Sequence, residues 1–140
     1  MAGAKPKVLF DLNIILDVLQ ERPECYQTSA RLLAQAETGR LQGWIAAHSL
    51  TTLFYLVAKD KGTDQARVTL TSLLQILKIA PLRQETIEQA LNLPYRDFED
   101  AVQMVAALHI RADYLATRNI KDYQPALLTV IQPAELLAIL

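Results

Sequence analysis

The chain has 140 residues and a mass of 15.7 kDa, which is the length of one ordinary domain. Its hydrophobic fraction of 51% is enough for a packed core and excludes a disordered tail or a fibrous protein. With 14 basic and 15 acidic residues the formal net charge is −1, so the chain as a whole does not attract nucleic acid. Any contact with RNA or DNA must come from a local site.

Cysteine use and the apolar runs indicate a cytoplasmic protein. The single cysteine, Cys25, excludes an internal disulfide, and with two histidines it cannot make a zinc-ligand set. Residues 1–7 lack the apolar core of a signal peptide. The longest apolar stretch, 44–58, is interrupted by polar residues and is too short to span a bilayer. We therefore expect no membrane segment.

Short apolar runs alternate with segments of helical periodicity, and no repeat or linker divides the chain. In chain order, the patterns predict a strand at 8–10, a helix at 12–19, a helix from 26 to near Gly39, a strand at 44–46, helices at 50–57 and 66–77, a strand at 79–82, a helix at 98–105, strands at 114–116 and 128–131, and a last helix from Pro133. We expect one domain over residues 1–140, with 1–6 as a flexible lead. Its class is α/β, a three-layer α/β/α arrangement around a central, mainly parallel sheet of about five short strands.

Acidic residues far apart in sequence are expected to meet at one edge of this sheet. Asp11 directly follows the first strand, and Asp97, Glu99 and Asp100 open the helix that leads into the fourth. The loop after the fourth strand contains Asn119 and Asp122. Ligands usually bind at the carboxyl ends of parallel strands, and clustered hard oxygens suit Mg²⁺ or Mn²⁺. The pattern is typical of metal-assisted phosphodiester hydrolysis.

Each of these residues also has a local explanation. Asp97 and Asp100 could cap their helix and complement its dipole, and Asn119 and Asp122 could be turn residues. Asp11 has the weakest local explanation, although it could cap the first helix. Their convergence favours a site. Dinucleotide and P-loop sites lack their glycine motifs, and Asn13 stands where an aspartyl phosphatase would have a second Asp.

Three ordered motifs resemble the PIN-domain ribonucleases, a family that includes the VapC-type toxins. The first is Asp11-Leu-Asn13-Ile-Ile-Leu-Asp17; the others are Asp97-Phe-Glu99-Asp100-Ala101 and Thr117-Arg-Asn119-Ile-Lys-Asp122-Tyr123. The resemblance covers nearly the whole chain. It implies a PIN-like fold and a Mg²⁺- or Mn²⁺-dependent ribonuclease.

Carried over by position, the resemblance assigns catalytic and metal-binding roles to Asp11, Asp100, Asn119 and Asp122. Asp97 and Glu99 are candidate supplements to the metal site. Asn13, Thr52, Thr117, Arg118 and Lys121 are the predicted substrate-binding residues. Arg22 and Arg96 lie in loops expected near the same edge, where basic side chains could contact phosphates.

The helix after the second strand departs from the family pattern. Family members have a Glu there, but Ser49-Leu-Thr51-Thr52-Leu53 places Thr52 at the corresponding position, and the segment has no carboxylate. The alternative function is therefore a catalytically silent PIN-like domain that binds RNA or a protein partner. As for assembly, the resemblance implies a homodimer, an RNA substrate and an antitoxin that blocks the acidic edge.

Overall fold

The computed structural model describes residues 4–140, so the part of the predicted flexible lead at 1–3 lies outside the described residues. Within 4–140 there are five strands: β1 (Lys7–Phe10), β2 (Gln42–Ala46), β3 (Leu77–Ala80), β4 (Tyr114–Ala116) and β5 (Thr129–Ile131). All neighbouring strands pair in parallel, in the order β3-β2-β1-β4-β5. The predicted parallel sheet is confirmed.

Seven α-helices lie within the same residues: α1 (Leu12–Leu19), α2 (Tyr26–Glu37), α3 (Ala47–Lys61), α4 (Thr63–Leu73), α5 (Gln84–Leu91), α6 (Phe98–His109) and α7 (Pro133–Ile139). A short 3₁₀ helix, Ile120–Asp122, follows β4. No helix in the described chain is both long enough and apolar enough to cross a membrane.

The sheet separates two apolar layers, which confirms the predicted α/β/α arrangement. Val8 and Phe10 of β1 pack on one face with side chains of α1, α2, α3, α4 and α7. Leu9, which alternates with them, packs on the other face with α6. All three side chains are fully buried because helices cover both faces of a parallel sheet.

Two details of the predicted secondary structure are wrong. The third strand is Leu77–Ala80 instead of 79–82, so Leu77, assigned to a helix by its spacing, belongs to β3. In the parallel pairing of β2 with β3, Leu77 lies opposite Gly43. Helix α5 was not predicted. It is eight residues long and mostly polar, and its buried face consists largely of Thr86 and Ala90, too few apolar residues to give a helical stripe.

Candidate functional site

Asp11 lies where β1 ends, beside the end of β4. Asp11 is the N-cap of α1, and its side-chain Oδ1 accepts a hydrogen bond from the Asn13 amide at 3.4 Å. Its Oδ2 accepts a hydrogen bond from the Thr117 hydroxyl at 2.7 Å. The parallel pairing of β1 with β4 brings these two residues together across 106 positions of sequence. The carboxylate is therefore held from both sides and is 6% exposed.

The start of α6 supplies the second group of acids. Asp97 is the N-cap, and its Oδ1 accepts hydrogen bonds from the amides of Glu99 at 2.8 Å and Asp100 at 3.3 Å. The local explanation for Asp97 is thus realised in the structure. Glu99 and Asp100 occupy the first turn, where the helix dipole favours negative charge. The Asp97 cap therefore orders the first turn of α6, which carries Glu99 and Asp100.

A cleft of about 150 Å³ contains both groups of acids. We call it the acidic cleft; it is lined by Asp11, Leu12, Asn13, His48, Ser49, Thr52, Asp97, Glu99, Asp100 and Gln103. It lies where β1, α3 and α6 meet, at the carboxyl edge of the sheet. The structure therefore brings together the predicted residues Asp11, Asn13, Thr52, Asp97, Glu99 and Asp100.

The acidic cleft carries an excess of negative charge. The pKa of Asp100 is raised to about 6, first by burial and then by the charge of Asp97, with further contributions from Asp11 and Asp122. A hydrogen bond from Tyr123 partly offsets this rise. A carboxylate in such surroundings is stabilised by a cation, so the electrostatics fit a bound divalent ion.

The third motif of the sequence borders a second cleft. We call it the adjoining cleft; it has a volume of about 400 Å³ and is lined by Pro94, Tyr95, Arg96, Asp97, Asp100, Lys121, Asp122 and Gln124. Asp97 and Asp100 line both clefts, so the start of α6 separates them. Asp122, Arg96 and Lys121 are therefore near Asp100, on its other side.

Asn119 and Thr117, two predicted site residues after β4, are held by hydrogen bonds within the protein. The amide of Asn119 donates to the Thr117 hydroxyl at 3.1 Å. Thr117 is fully buried, and it contacts Asp11 instead of facing the surface as a substrate-binding residue would. Asn119 is thus joined to Asp11 through Thr117.

Arg118 and Arg22 bind Asp17, a buried acid of the first motif that the sequence analysis left without a role. Asp17 of α1 is fully buried, and Arg118 binds its carboxylate. Arg22 reaches Asp17 at 3.4 Å and the Asn13 side-chain oxygen at 3.3 Å. Both guanidinium groups are therefore engaged within the protein, whereas the sequence pattern had favoured phosphate contacts.

Gln103 is a site residue that the sequence patterns did not reveal, and Tyr123 ends the third motif without a role assigned to it. The Gln103 amide nitrogen donates to Asp11 Oδ1 at 3.4 Å and to the Tyr123 hydroxyl at 2.6 Å. Tyr123 in turn donates to Asp100 Oδ1 at 3.1 Å. Gln103 could have been noticed as the one polar side chain within the buried run 101–107, three residues after Asp100.

His48 and Thr52 form the α3 wall of the acidic cleft. His48 Nε2 donates to the backbone oxygen of Glu99 at 3.2 Å, and burial lowers the pKa of its imidazole. Its Nδ1 is buried and has no hydrogen-bond partner within the described residues. The Thr52 hydroxyl donates to the His48 carbonyl at 3.3 Å. This wall therefore brings no carboxylate to the cleft.

The donor set fits a hard cation that retains water. Within residues 4–140, no three His, Cys, Asp or Glu side chains form a preassembled metal-ligand group. Asp11 and Asp100 nevertheless line one cleft and offer carboxylate oxygens. Mg²⁺ typically binds one or two carboxylates and keeps several waters, so two acids are chemically sufficient for it.

Comparison with known proteins agrees with this architecture. The chain is 25% identical over 125 residues to Ribonuclease VapC1 from Aquifex aeolicus, covering 85% of each protein. The structure is similar to that of FitAcB from Neisseria gonorrhoeae, with a TM-score of 0.70 and 19% identity over 91% of this chain and 98% of the other. It is also similar to a toxin–antitoxin complex from Klebsiella pneumoniae, with a TM-score of 0.69 and 24% identity over 90% and 97%.

A family model described as PIN domain matches residues 7–121. This match spans β1 to the 3₁₀ helix and includes Asp11, Asp100 and Asn119, the positions on which the sequence resemblance was based. The resemblance is therefore confirmed, and the chain belongs to the PIN-domain family.

Proposed function

We propose that this chain is a Mg²⁺- or Mn²⁺-dependent endoribonuclease that hydrolyses RNA phosphodiester bonds. One observation carries the proposal: Asp11 and Asp100, from separate elements, line a single cleft at the carboxyl edge of the sheet. The like charge around Asp100 is unfavourable without a cation. The similarity to Ribonuclease VapC1 supports the same reaction class.

Asp11 and Asp100 would hold the divalent ion, with Asn119 and Asp122 as further oxygen donors and Asp97 and Glu99 as supplementary charges. When bound, such an ion lowers the pKa of water and offsets charge on the scissile phosphate. The protein contributes the geometry: Thr117 fixes one oxygen of Asp11, and the Asp97 cap fixes the first turn of α6 that carries Asp100. Both acids are thereby oriented before substrate arrives.

The adjoining cleft supports an RNA strand as the substrate. Arg96 and Lys121 line it next to Asp100, so their charges can bind phosphates close to the acids. With a net charge of −1 the chain as a whole does not attract RNA, so a local pair of basic side chains is needed to bind it. We propose that Lys121 binds the RNA backbone, while Asn13, which lines the acidic cleft, contacts substrate or orients Asp11.

A cleavage assay tests the proposal. Wild type should cleave a mixed RNA pool in Mn²⁺ or Mg²⁺ and lose this activity in a chelator. Asp11→Asn and Asp100→Asn should be inactive while remaining folded. Asp113→Asn is the matched control, because Asp113 binds the Lys7 amide at the opposite edge of the sheet. Activity that survives both site substitutions would exclude this site.

We further propose that the chain is the toxin of a toxin–antitoxin pair. The support is the similarity to the Klebsiella pneumoniae complex and to VapBC-1 from nontypeable Haemophilus influenzae, which has a TM-score of 0.69. Expression of the chain alone should slow the growth of the host cells, and Asp11→Asn should relieve this effect. Co-expression with the neighbouring gene should also relieve it and should yield a complex on purification.

A silent binding domain is the second candidate function, and Thr52 favours it. Thr52 lines the acidic cleft at the position where the family has Glu, and its hydroxyl is bound to the His48 carbonyl. A silent domain would retain RNA or a protein partner and leave RNA intact in the presence of metal. The same cleavage assay, combined with an RNA-binding measurement, separates the two functions.

A further inference from the structure

Asp11 and Asp100 are joined by a continuous chain of hydrogen bonds through two uncharged side chains. We infer that Gln103 and Tyr123 are positioning residues that set the separation of these two acids for cation binding. The inference rests on the proposed function, since it concerns the same cleft. It adds a physical connection between two acids that come from different motifs.

The donor and the acceptor of each hydrogen bond between Asp11 and Asp100 follow from the groups involved. The ionised Asp100 can only accept, so the Tyr123 hydroxyl must donate its hydrogen to Oδ1, over 3.1 Å. The same hydroxyl oxygen is then free to accept, which it does from the Gln103 amide nitrogen at 2.6 Å. Burial and the nearby carboxylates raise the pKa of Tyr123, which keeps this proton on the phenol.

The orientation of the Gln103 amide follows from its other neighbours. Its Oε1 accepts from the Ser49 hydroxyl at 3.3 Å, so its NH₂ group faces Asp11 and Tyr123. A flipped amide would point its oxygen at the Asp11 carboxylate, and two acceptors would then face each other. The side chain therefore has one favourable orientation, and one NH₂ group contacts both Asp11 and the donor to Asp100.

Burial makes this chain rigid. Gln103 is 3% exposed and Tyr123 is 1% exposed. Polar groups in such surroundings are costly unless they are hydrogen-bonded, so each has a strong preference for the geometry observed. These hydrogen bonds also connect different parts of the fold: Asp11 follows β1, Ser49 lies on α3, Gln103 lies on α6, and Tyr123 follows the 3₁₀ helix. The hydrogen-bonded network therefore fixes how these elements meet around the acids.

Removing the phenol hydroxyl is the sharpest test. In Tyr123→Phe, Asp100 loses its donor and Gln103 loses an acceptor, while the ring still fills its buried place. Gln103→Leu removes the contacts to both Asp11 and Tyr123. Tyr114→Phe is the matched control, since Tyr114 begins β4 at the amino edge of the sheet, away from the acids. Circular dichroism and thermal melting would confirm that each variant is folded at the assay temperature.

Calorimetric titration with Mn²⁺ alone provides a readout independent of catalysis. Substitution of groups that orient metal ligands typically lowers metal affinity or activity about 10- to 100-fold. We expect each single variant to bind Mn²⁺ about tenfold more weakly than wild type. The loss of Mn²⁺ affinity in the double variant should be smaller than the product of the two single losses, because the two side chains act through one network. In RNA cleavage, kcat should fall while KM stays near the wild-type value.

The possible outcomes distinguish this inference from the function on which it rests. If wild type binds Mn²⁺ and folded Tyr123→Phe binds it equally well, positioning by this chain is excluded and the proposed function stands. A variant that loses stability but keeps its Mn²⁺ affinity and kcat shows a merely structural role, which also overturns the inference. If wild type itself neither binds Mn²⁺ nor cleaves RNA, the proposed function fails and the positioning role fails with it.

Discussion

The guanidinium of Arg118 binds both carboxylate oxygens of Asp17, with Nε and Nη2 at 2.9 and 3.0 Å. Asp17 is fully buried on α1, and the Ser29 hydroxyl of α2 donates to the same carboxylate at 2.8 Å. A buried carboxylate depends on such partners because it has lost its hydration. The pair therefore ties α1 and α2 to the loop that follows β4, next to the acidic cleft.

Loss of Arg118 should destabilise the fold. Arg118→Ala leaves Asp17 with the weaker contact to Arg22 at 3.4 Å, and breaking a buried pair from one side typically costs about 3 to 5 kcal/mol. We expect the free energy of unfolding, measured with urea, to fall by about 3 kcal/mol, the lower end of this range, because Ser29 still donates to Asp17. Arg31→Ala, on the exposed face of α2, should change stability by less than about 0.5 kcal/mol. If Arg118→Ala leaves stability unchanged, the ion pair with Asp17 is not important for the fold, and the phosphate-binding role predicted from the sequence is favoured.

Lys121 should affect RNA binding without affecting stability. It is exposed beside Asp100 in the adjoining cleft. Lys121→Ala should weaken binding of single-stranded RNA and reduce the slope of log affinity against log salt by about 1, the effect of losing one phosphate contact. Binding is best measured by fluorescence anisotropy in the Asp11→Asn background, which prevents cleavage. An unchanged salt slope would place the RNA path elsewhere.

Divalent metal should stabilise the folded protein. At about 100 times its Kd, a bound ion adds roughly 2.7 kcal/mol, which corresponds to a rise in Tm on the order of 5 to 10 °C for a chain of this size. We expect this rise for wild type in Mn²⁺ and its absence in Asp11→Asn and Asp100→Asn. Asp113→Asn should respond like wild type. A rise that persists in both site variants would locate the ion away from the acidic cleft.

The pKa of Asp100 predicts how stability without metal depends on pH. Because its pKa rises from 3.8 to about 6 on folding, the protonated form favours the folded state. This contribution is fully present below pH 3.8 and is lost as pH rises through about 6. In a chelator, Asp100→Asn should therefore raise Tm by about 2 to 5 °C near neutral pH, since it removes the charge.

The same comparison at acid pH provides the check on this prediction. Near pH 4 wild-type Asp100 is largely protonated, so the difference in Tm between wild type and Asp100→Asn should nearly vanish. Melting curves at several pH values would trace its disappearance. A variant that is less stable than wild type at neutral pH would show that capping and dipole effects at the start of α6 outweigh charge repulsion.

Thr52→Glu should add a carboxylate to the α3 wall of the acidic cleft, which has none. Thr52 is partly exposed in the cleft wall, so a longer side chain can extend into the opening. We expect tighter Mn²⁺ binding, by about tenfold, together with lower stability in a chelator because like charges are closer. Thr52→Gln is the matched control for size without charge. Equal Mn²⁺ affinity for the two variants would show that a carboxylate here does not reach the ion.

The sequence determined the class of fold and the main acids of the candidate site. Alternation of apolar runs with helical periods predicted the parallel sheet, because each pattern reflects a local backbone period. Asp11 and Asp100 were found because residues following strands and opening helices must lie at one edge of such a sheet. Motif order then indicated the PIN family, which the match over residues 7–121 confirmed.

Other features were decided only by the tertiary structure. The register of β3 depends on its pairing with β2, and an apolar residue such as Leu77 fits a helical stripe as well as a strand. The partner of Arg118 could not be read from sequence, because Asp17 is 101 positions away and becomes a strong partner only when burial removes its water. Gln103 lies outside the motifs, and Tyr123 ends one without a charge that would indicate its role. Only the tertiary structure brings these two side chains between Asp11 and Asp100.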